Sequence, residues 1–125
     1  MPRTIRILAI DEEEIILKSI SKALKGNGDT IYTVTTATSP LEGLRLVRSD
    51  LFDLIFVDLA LSGMDGIELS RRMKNIHTAI PVVIMSGYSF ETTPLNEVSR
   101  NADGLLPKPF TTVEIKSVIS HILNP

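Results

Sequence analysis

The chain has 125 residues, of which 43% are hydrophobic and 22% are charged, and this composition is typical of one globular domain. A formal net charge of −2 argues against nucleic-acid binding, and the absence of cysteine excludes disulfides and thiolate metal sites. The apolar runs are too short for a signal peptide or for a membrane span of about 18 residues. We therefore expect a single cytoplasmic domain over residues 1–125 that contacts neither membrane nor nucleic acid.

Short runs rich in β-branched residues alternate along the chain with longer segments of helical period. The first, third and fourth runs are almost wholly apolar, which is typical of central strands in a parallel sheet covered on both faces. The predicted strands are residues 5–10, 30–36, 53–58, 81–86 and 102–107. This alternation predicts an α/β fold in which a doubly wound, five-stranded parallel sheet of order 2-1-3-4-5 has helices on both faces.

The helices between these strands are predicted from apolar stripes and from N-terminal capping residues. Ser39, Asp65 and Thr111 each stand three residues before a glutamate, which is the signature of a helix start. A further short helix is expected near Thr93 and Pro94, because proline is excluded from helix interiors. The predicted core stripes are Ile16, Ile20 and Ala23; Leu44, Val47 and Leu51; Leu69, Met73 and Ile76; and Ile115, Val118, Ile119 and Ile122.

Carboxylates follow two of the strands that the predicted order places side by side. Asp11 and Glu12 end the first strand, and Asp58 ends the third. Ligands of such sheets bind at the carboxyl ends of the strands where the strand order reverses, between strands one and three. Two carboxylates about 4 Å apart repel by roughly 4 kcal/mol at an effective dielectric near 20, so either a proton is retained or a cation binds. An all-oxygen site suits a hard ion such as Mg²⁺.

Two more strand ends supply a hydroxyl and an ammonium group. Ser86 ends the fourth strand, and Lys108 follows the fifth between two prolines, where we expect a cis bond to Pro109. The predicted cluster then contains a carboxylate nucleophile, a metal site and two groups able to hold phosphoryl oxygens. Such a cluster is equipped to form an aspartyl phosphate.

At these positions the chain resembles the receiver domains of two-component response regulators, over nearly its whole length. Each motif is short, but their order, each at a strand end, is distinctive. The matching motifs are Asp11-Glu12, Asp58 with the following SGMDG, Ser86-Gly87, and KPF at 108–110. The resemblance implies a flavodoxin-like receiver fold and a signalling switch rather than an enzyme acting on free substrates.

The resemblance also implies a role for each of these residues. Asp58 accepts a phosphoryl group from the phosphohistidine of a sensor histidine kinase or a histidine phosphotransfer protein, and Ser86 and Lys108 contact that group. The Mg²⁺ ligands that it implies are Asp11, Glu12, Asp58 and the carbonyl of Ala60. An output domain or downstream protein, or a second copy in a phosphorylation-dependent homodimer, would bind the face of the fourth predicted helix and the fifth strand.

The chain departs from the family pattern at several positions. Glu12 stands where an aspartate is usual, Leu105 where an aromatic residue is usual and Ser62 where proline is common, while Tyr88 is placed to shield the site from water. Without an aromatic residue at position 105, we expect the output face to change less on phosphorylation. Glu12 and Leu105 favour one alternative, a degenerate receiver that acts as a phosphorylation-independent interaction module.

Two further alternatives agree less well with the residues. A phosphatase of the haloacid dehalogenase type needs a second carboxylate two residues after the nucleophile, where this chain has Ala60. A flavodoxin-like cofactor carrier would need a phosphate cradle after the first strand, where the acidic residues 11–14 would repel phosphate. The phosphoacceptor interpretation therefore remains the leading prediction.

Overall fold

A computed structural model of the chain describes residues 3–25, 28–87 and 100–123. Within these ranges, strands and helices alternate as predicted from the first strand to the fourth and again from the fifth strand to the last helix. They are β1 (Arg3–Ile10), α1 (Glu14–Ala23), β2 (Thr30–Ala37), α2 (Pro40–Ser49), β3 (Leu54–Asp58), α3 (Gly66–Ile76), β4 (Val82–Ser86), β5 (Gly104–Pro107) and α4 (Thr112–Leu123). The helix predicted near Thr93 and the proposed shielding residue Tyr88 lie outside the described residues.

The strands form a parallel sheet of order β2-β1-β3-β4-β5, which confirms the predicted topology. Every residue of β3 and β4 is buried, as expected for central strands covered on both faces. Alternate side chains of these strands enter two separate cores. Helices α2 and α3 cover one core and helices α1 and α4 the other, so the ends of the strands stay open for a ligand.

The predicted helix starts are capped as the sequence indicates. Ser39 Oγ accepts a hydrogen bond of 3.2 Å from the amide of Glu42 at the start of α2. Asp65 Oδ1 accepts a bond of 2.8 Å from the amide of Glu68 at the start of α3. At the start of α4 the Thr111 hydroxyl and the Glu114 carboxylate each accept a bond from the other residue's amide, which is a complete capping box.

One predicted core residue is exposed. Leu51 was expected to continue the apolar stripe of α2, but the helix ends at Ser49 and Leu51 is 70% exposed. The prediction was wrong because Asp50 adopts an extended conformation at the helix C-terminus, so the helical spacing does not reach Leu51.

None of the helices in the described ranges is long and apolar enough to cross a membrane.

Candidate functional site

Three charged side chains from separate strand ends meet at the carboxyl edge of the sheet. Asp11 follows β1 and is 0% exposed, and Asp58 is the last residue of β3 and is 7% exposed. Lys108 follows β5, and its Nζ donates to Asp11 Oδ2 at 2.6 Å and to Asp58 Oδ1 at 3.1 Å. The predicted meeting of Asp11, Asp58 and Lys108 is therefore observed, with the ammonium bridging the two carboxylates.

Backbone contacts hold Asp11 in this position. Its amide donates to the carbonyl of Ala37 at 3.1 Å, which ties the end of β1 to the end of β2. Its second carboxylate oxygen, Oδ1, accepts a hydrogen bond of 2.9 Å from the amide of Glu13. Because one oxygen is bound to this amide, the other oxygen is oriented toward Lys108.

The strand pair β4–β5 positions Lys108 and Ser86. The amide of Lys108 donates to the carbonyl of Ser86 at 2.7 Å, and Ser86 lies opposite Pro107 in the strand register. Ser86 is 2% exposed and ends β4, as predicted. The peptide bond between Lys108 and Pro109 is cis, which confirms the expectation from the sequence.

The loop after β3 packs closely around Asp58. The amide of Leu59 donates to the carbonyl of Met85 at 2.8 Å, and the amide of Ala60 hydrogen-bonds to the Asp58 carboxylate. Gly66 begins α3, and its amide donates to the carbonyl of Leu59 at 2.8 Å. A Cβ at Gly66 would lie 2.9 Å from the Cα of Leu59 and closer still to the Asp58 carbonyl oxygen, so only glycine fits there.

Burial and neighbouring charges shift the titration of this cluster. Burial raises the pKa of Asp58 above its ordinary value of 3.8 and the Asp11 charge adds to this, while hydrogen bonds from Lys108 and the Ala60 amide oppose it. Burial alone would lower the pKa of Lys108, but its hydrogen bonds to Asp11 and Asp58 outweigh burial and raise it above 10.5. One ammonium thus faces two carboxylates, and the cluster keeps an excess of negative charge.

A cavity of about 260 Å³ opens beside this cluster. It is lined by Glu13, Asp58, Ala60, Gly87 and Lys108. The Asp58 carboxylate is thus accessible from solvent through this cavity. There is open space beside Gly87, because a Cβ built on it would have only the Lys108 side chain, at 4.0 Å, as a neighbour. The cavity therefore leaves room for a small group to reach Asp58 beside the Lys108 ammonium.

Glu12 is not brought into the cluster with Asp11 and Asp58. Its Oε1 instead accepts a hydrogen bond of 2.6 Å from the amide of Ser62 in the loop after β3. Within the described part of the chain, no three acidic, histidine or cysteine side chains are grouped closely enough to hold a metal ion. Of the predicted metal ligands, Asp11 and Asp58 are therefore adjacent and Ala60 lines the same cavity, whereas the Glu12 carboxylate points to a neighbouring loop.

One residue that lines the site was missed by the sequence interpretation, and one motif residue has a further role. Glu13 lines the cavity, and its signal was its place in the acidic run after β1. Gly66 belongs to the SGMDG motif, where it was expected to give the turn backbone freedom, but its close packing against the Asp58 backbone was not predicted.

Comparisons with known proteins agree with this geometry. The model of the response regulator receiver domain family matches residues 7–120. The response regulator MprA of Mycobacterium ulcerans is 28% identical over 121 residues, which are 97% of this chain and 51% of that protein. The chain thus spans about half the length of such relatives.

Solved structures have the same architecture. A CheY-like receiver domain protein from Methanospirillum hungatei matches with a TM-score of 0.84 and 27% identity, covering 97% of this chain and 94% of that one. The receiver domain of the sensor histidine kinase PA1611 from Pseudomonas aeruginosa has a TM-score of 0.85 at 18% identity, covers 98% and 99%, and carries a magnesium ion in its active-site cleft. With its flavodoxin-like sheet and a family match that covers most of its length, this chain belongs to the response regulator receiver domain family.

Proposed function

We propose that this chain is a single receiver domain over residues 1–125 in which Asp58 accepts a phosphoryl group in a magnesium-dependent reaction. The observation that carries the proposal is the Lys108 ammonium held within 2.6 Å of Asp11 and 3.1 Å of Asp58, beside a cavity that opens onto Asp58. This arrangement offers a carboxylate nucleophile together with a fixed positive charge.

In the proposed reaction, Asp58 is the nucleophile, and Lys108 and Ser86 bind the phosphoryl group. An oxygen of Asp58 bonds to the phosphorus of a phosphohistidine while the phosphorus–nitrogen bond breaks, and the bonding electrons return to the imidazole. The Lys108 ammonium stabilises the negative charge on the phosphoryl oxygens, and the Ser86 hydroxyl at the end of β4 donates a further hydrogen bond. Later hydrolysis of the acyl phosphate resets the domain.

The donor atoms at this edge fit Mg²⁺. Two buried carboxylates, Asp11 and Asp58, are opposed by one ammonium, and Mg²⁺ commonly binds through one or two carboxylates together with water and phosphate oxygens. We assign Asp11, Glu12, Asp58 and the carbonyl of Ala60 as the groups that would hold it. The ion would neutralise phosphoryl charge during transfer.

The partners follow from the proposed reaction. A sensor histidine kinase or a histidine phosphotransfer protein supplies the phosphoryl group, and a downstream protein or output domain reads the change at the face that contains β5. Transfer of labelled phosphate from a phosphorylated kinase to wild-type protein, without transfer to Asp58→Asn, tests this assignment. Transfer to the variant at the wild-type rate would contradict it.

Labelling with acetyl phosphate tests the phosphoacceptor proposal directly. Wild-type protein with Mg²⁺ should form one labile acyl phosphate, and Asp58→Asn or chelation of the metal with EDTA should abolish it. Asp50→Asn is the matched control, because Asp50 is an exposed residue at the end of α2, and it should be labelled normally. Absence of label in the wild type would support the phosphorylation-independent module, and multiple turnover of phosphate esters would support a phosphatase.

Asp58→Asn should also stabilise the fold, by about 0.5–2 kcal/mol at pH 7. The substitution removes a charge whose burial, and to a smaller extent its repulsion by Asp11, raises the pKa of Asp58. A carboxyl whose pKa is higher in the folded state destabilises the fold at high pH and stops doing so once it is protonated. The gain should therefore shrink as the pH falls through the raised pKa toward 3.8 in urea unfolding experiments, whereas a gain independent of pH would contradict this cause.

The hydrogen bond from the Ser62 amide to Glu12 should compete with metal binding. Ser62→Pro removes the donor N–H, and since one hydrogen bond contributes about 1 kcal/mol, Mg²⁺ affinity should rise about fivefold in calorimetric titrations. Ser62→Ala is the matched control, because it keeps the backbone N–H and should bind Mg²⁺ like the wild type. Equal affinities of Ser62→Pro and Ser62→Ala would exclude the competition.

A further inference from the structure

We propose that the free edge of β2, together with the lysines of α1 beside it, binds an extended acidic polypeptide segment that adds to the sheet as a further strand. This binding surface consists of residues 30–37 and of Lys18, Lys22 and Lys25, and we call it the β2 edge site. The proposal goes beyond the proposed function, because it makes no use of Asp58 or its phosphorylation.

The first observation is an open strand edge. Among the described strands, β2 is the outermost and has β1 as its one partner, in an unbroken register from Arg3 opposite Thr30 to Ile10 opposite Ala37. Its sequence, TIYTVTTA, contains no charge, no proline and no bulge, which are the usual devices that protect an edge from pairing. Ile31 is also 46% exposed. This edge therefore keeps backbone donors and acceptors available for another strand.

The second observation is a basic groove along the same edge. Lys18, Lys22 and Lys25 recur at helical spacing on α1 and its C-terminal end, and all three are exposed. They line a groove of about 510 Å³ in which three ammonium groups outnumber one carboxylate, that of Glu14; the remaining lining residues are Leu17, Ser21, Thr36 and Thr38. No ion pair among the described residues includes these lysines, so their charge is available to a partner.

The positive charge of the lysines decides whether a second copy of this chain or an acidic segment is the better partner for the edge of β2. A second copy paired antiparallel through β2 about a twofold axis normal to the sheet would place both α1 helices on the same face, with their lysines opposed. An acidic segment would instead neutralise them. Lys18 and Lys22 are about 6 Å apart along the helix axis, and alternate residues of a strand are about 6.6 Å apart, so two alternate carboxylates match them.

The face of β2 that lies away from α1 specifies which residues of the bound segment alternate with the acidic ones. Tyr32 and Val34 pack under α1, so Ile31 points to the other face of the sheet. Apolar residues between the acidic ones would lie beside Ile31. The geometry therefore points to a segment in which acidic and β-branched residues alternate.

A labelled peptide of alternating glutamate and valine, blocked at both ends, tests the β2 edge site. Binding measured by fluorescence anisotropy should be accompanied by amide shifts and slower hydrogen exchange in residues 30–37. Lys18→Gln combined with Lys22→Gln should weaken binding about fivefold, which corresponds to about 0.5 kcal/mol for each of two surface ion pairs. Arg45→Gln combined with Arg48→Gln removes the same charge from exposed positions on α2 and should change affinity less than twofold.

A second variant separates strand addition from simple charge attraction. Ile31→Lys adds a positive charge but disturbs the edge, so it should weaken binding although the peptide is acidic. Thermal unfolding checks that each variant is folded, and Asp58→Asn should bind the peptide like the wild type, so that this test and the phosphoacceptor test fail independently.

Several results would overturn the proposal. If the lysine double variant and the arginine double variant weakened peptide binding equally, the attraction would be unspecific. Amide shifts confined to α1 would indicate an anion site without strand addition. Dimers of the free protein in sedimentation experiments, or lysine-dependent binding to anionic vesicles or RNA without binding of the peptide, would assign the surface to a different partner.

Discussion

Replacement of Lys108 by methionine is expected to lower the free energy of unfolding by about 3 kcal/mol at pH 7. Methionine keeps much of the aliphatic volume but removes the ammonium that bridges Asp11 and Asp58, two buried carboxylates. Removal of one partner from a buried ion pair leaves the remaining charge without compensation. Urea unfolding followed by circular dichroism measures the loss.

The pH dependence of this loss follows from the direction of the pKa shift. The pKa of Lys108 is raised above 10.5 in the folded protein, so its contribution is fully present below that pH and disappears as the pH rises through the folded value. Wild type and variant should therefore converge in alkaline solution. At the acidic end the difference should also shrink, because protonation of Asp58 removes one of the charges that Lys108 neutralises.

Two controls make this prediction specific. Lys116→Met changes a half-buried lysine of α4 that belongs to no ion pair among the described residues, and it should cost less than about 0.5 kcal/mol. Addition of Asp11→Asn to Lys108→Met removes an uncompensated charge and should recover part of the loss. Equal losses for Lys108→Met and Lys116→Met would show that the bridge does not stabilise the fold.

Gly66→Ala is expected to destabilise the protein by about 2–3 kcal/mol and to slow phosphorylation of Asp58 by acetyl phosphate. The added methyl group would meet backbone atoms of Asp58 and Leu59, with the Leu59 Cα at 2.9 Å, and backbone cannot move aside as a flexible side chain can. Either α3 or the end of β3 must shift. Chemical denaturation measures the first effect and the rate of acyl phosphate formation the second.

Gly87→Ala is the matched control at a glycine that has open space beside it. Its Cβ would have only the Lys108 side chain within reach, at 4.0 Å, so the substitution should leave stability nearly unchanged. If Gly66→Ala is as stable and as rapidly labelled as Gly87→Ala, the close packing of α3 against Asp58 has no functional consequence.

The architecture could be predicted because its determinants are local. Apolar runs on β3 and β4 indicated central strands, and Ser39, Asp65 and Thr111 marked helix starts through contacts that span only three residues. The meeting of Asp11, Asp58 and Lys108 was also predictable, since the carboxyl ends of parallel strands share one edge. The exposed Leu51 was misplaced because helical spacing does not show where a helix stops.

The sequence by itself determined the strand and helix pattern, the helix caps and the set of charged residues at one edge of the sheet. Only the tertiary structure decided that the Lys108 ammonium bridges both carboxylates, that Glu12 binds the Ser62 amide instead of joining them, and that Gly66 must lack a side chain. It also decided that the lysines of α1 lie along an open strand edge. The physical reason is that propensity and periodicity act over a few residues, whereas these contacts join segments far apart in the chain and depend on the packed positions of both.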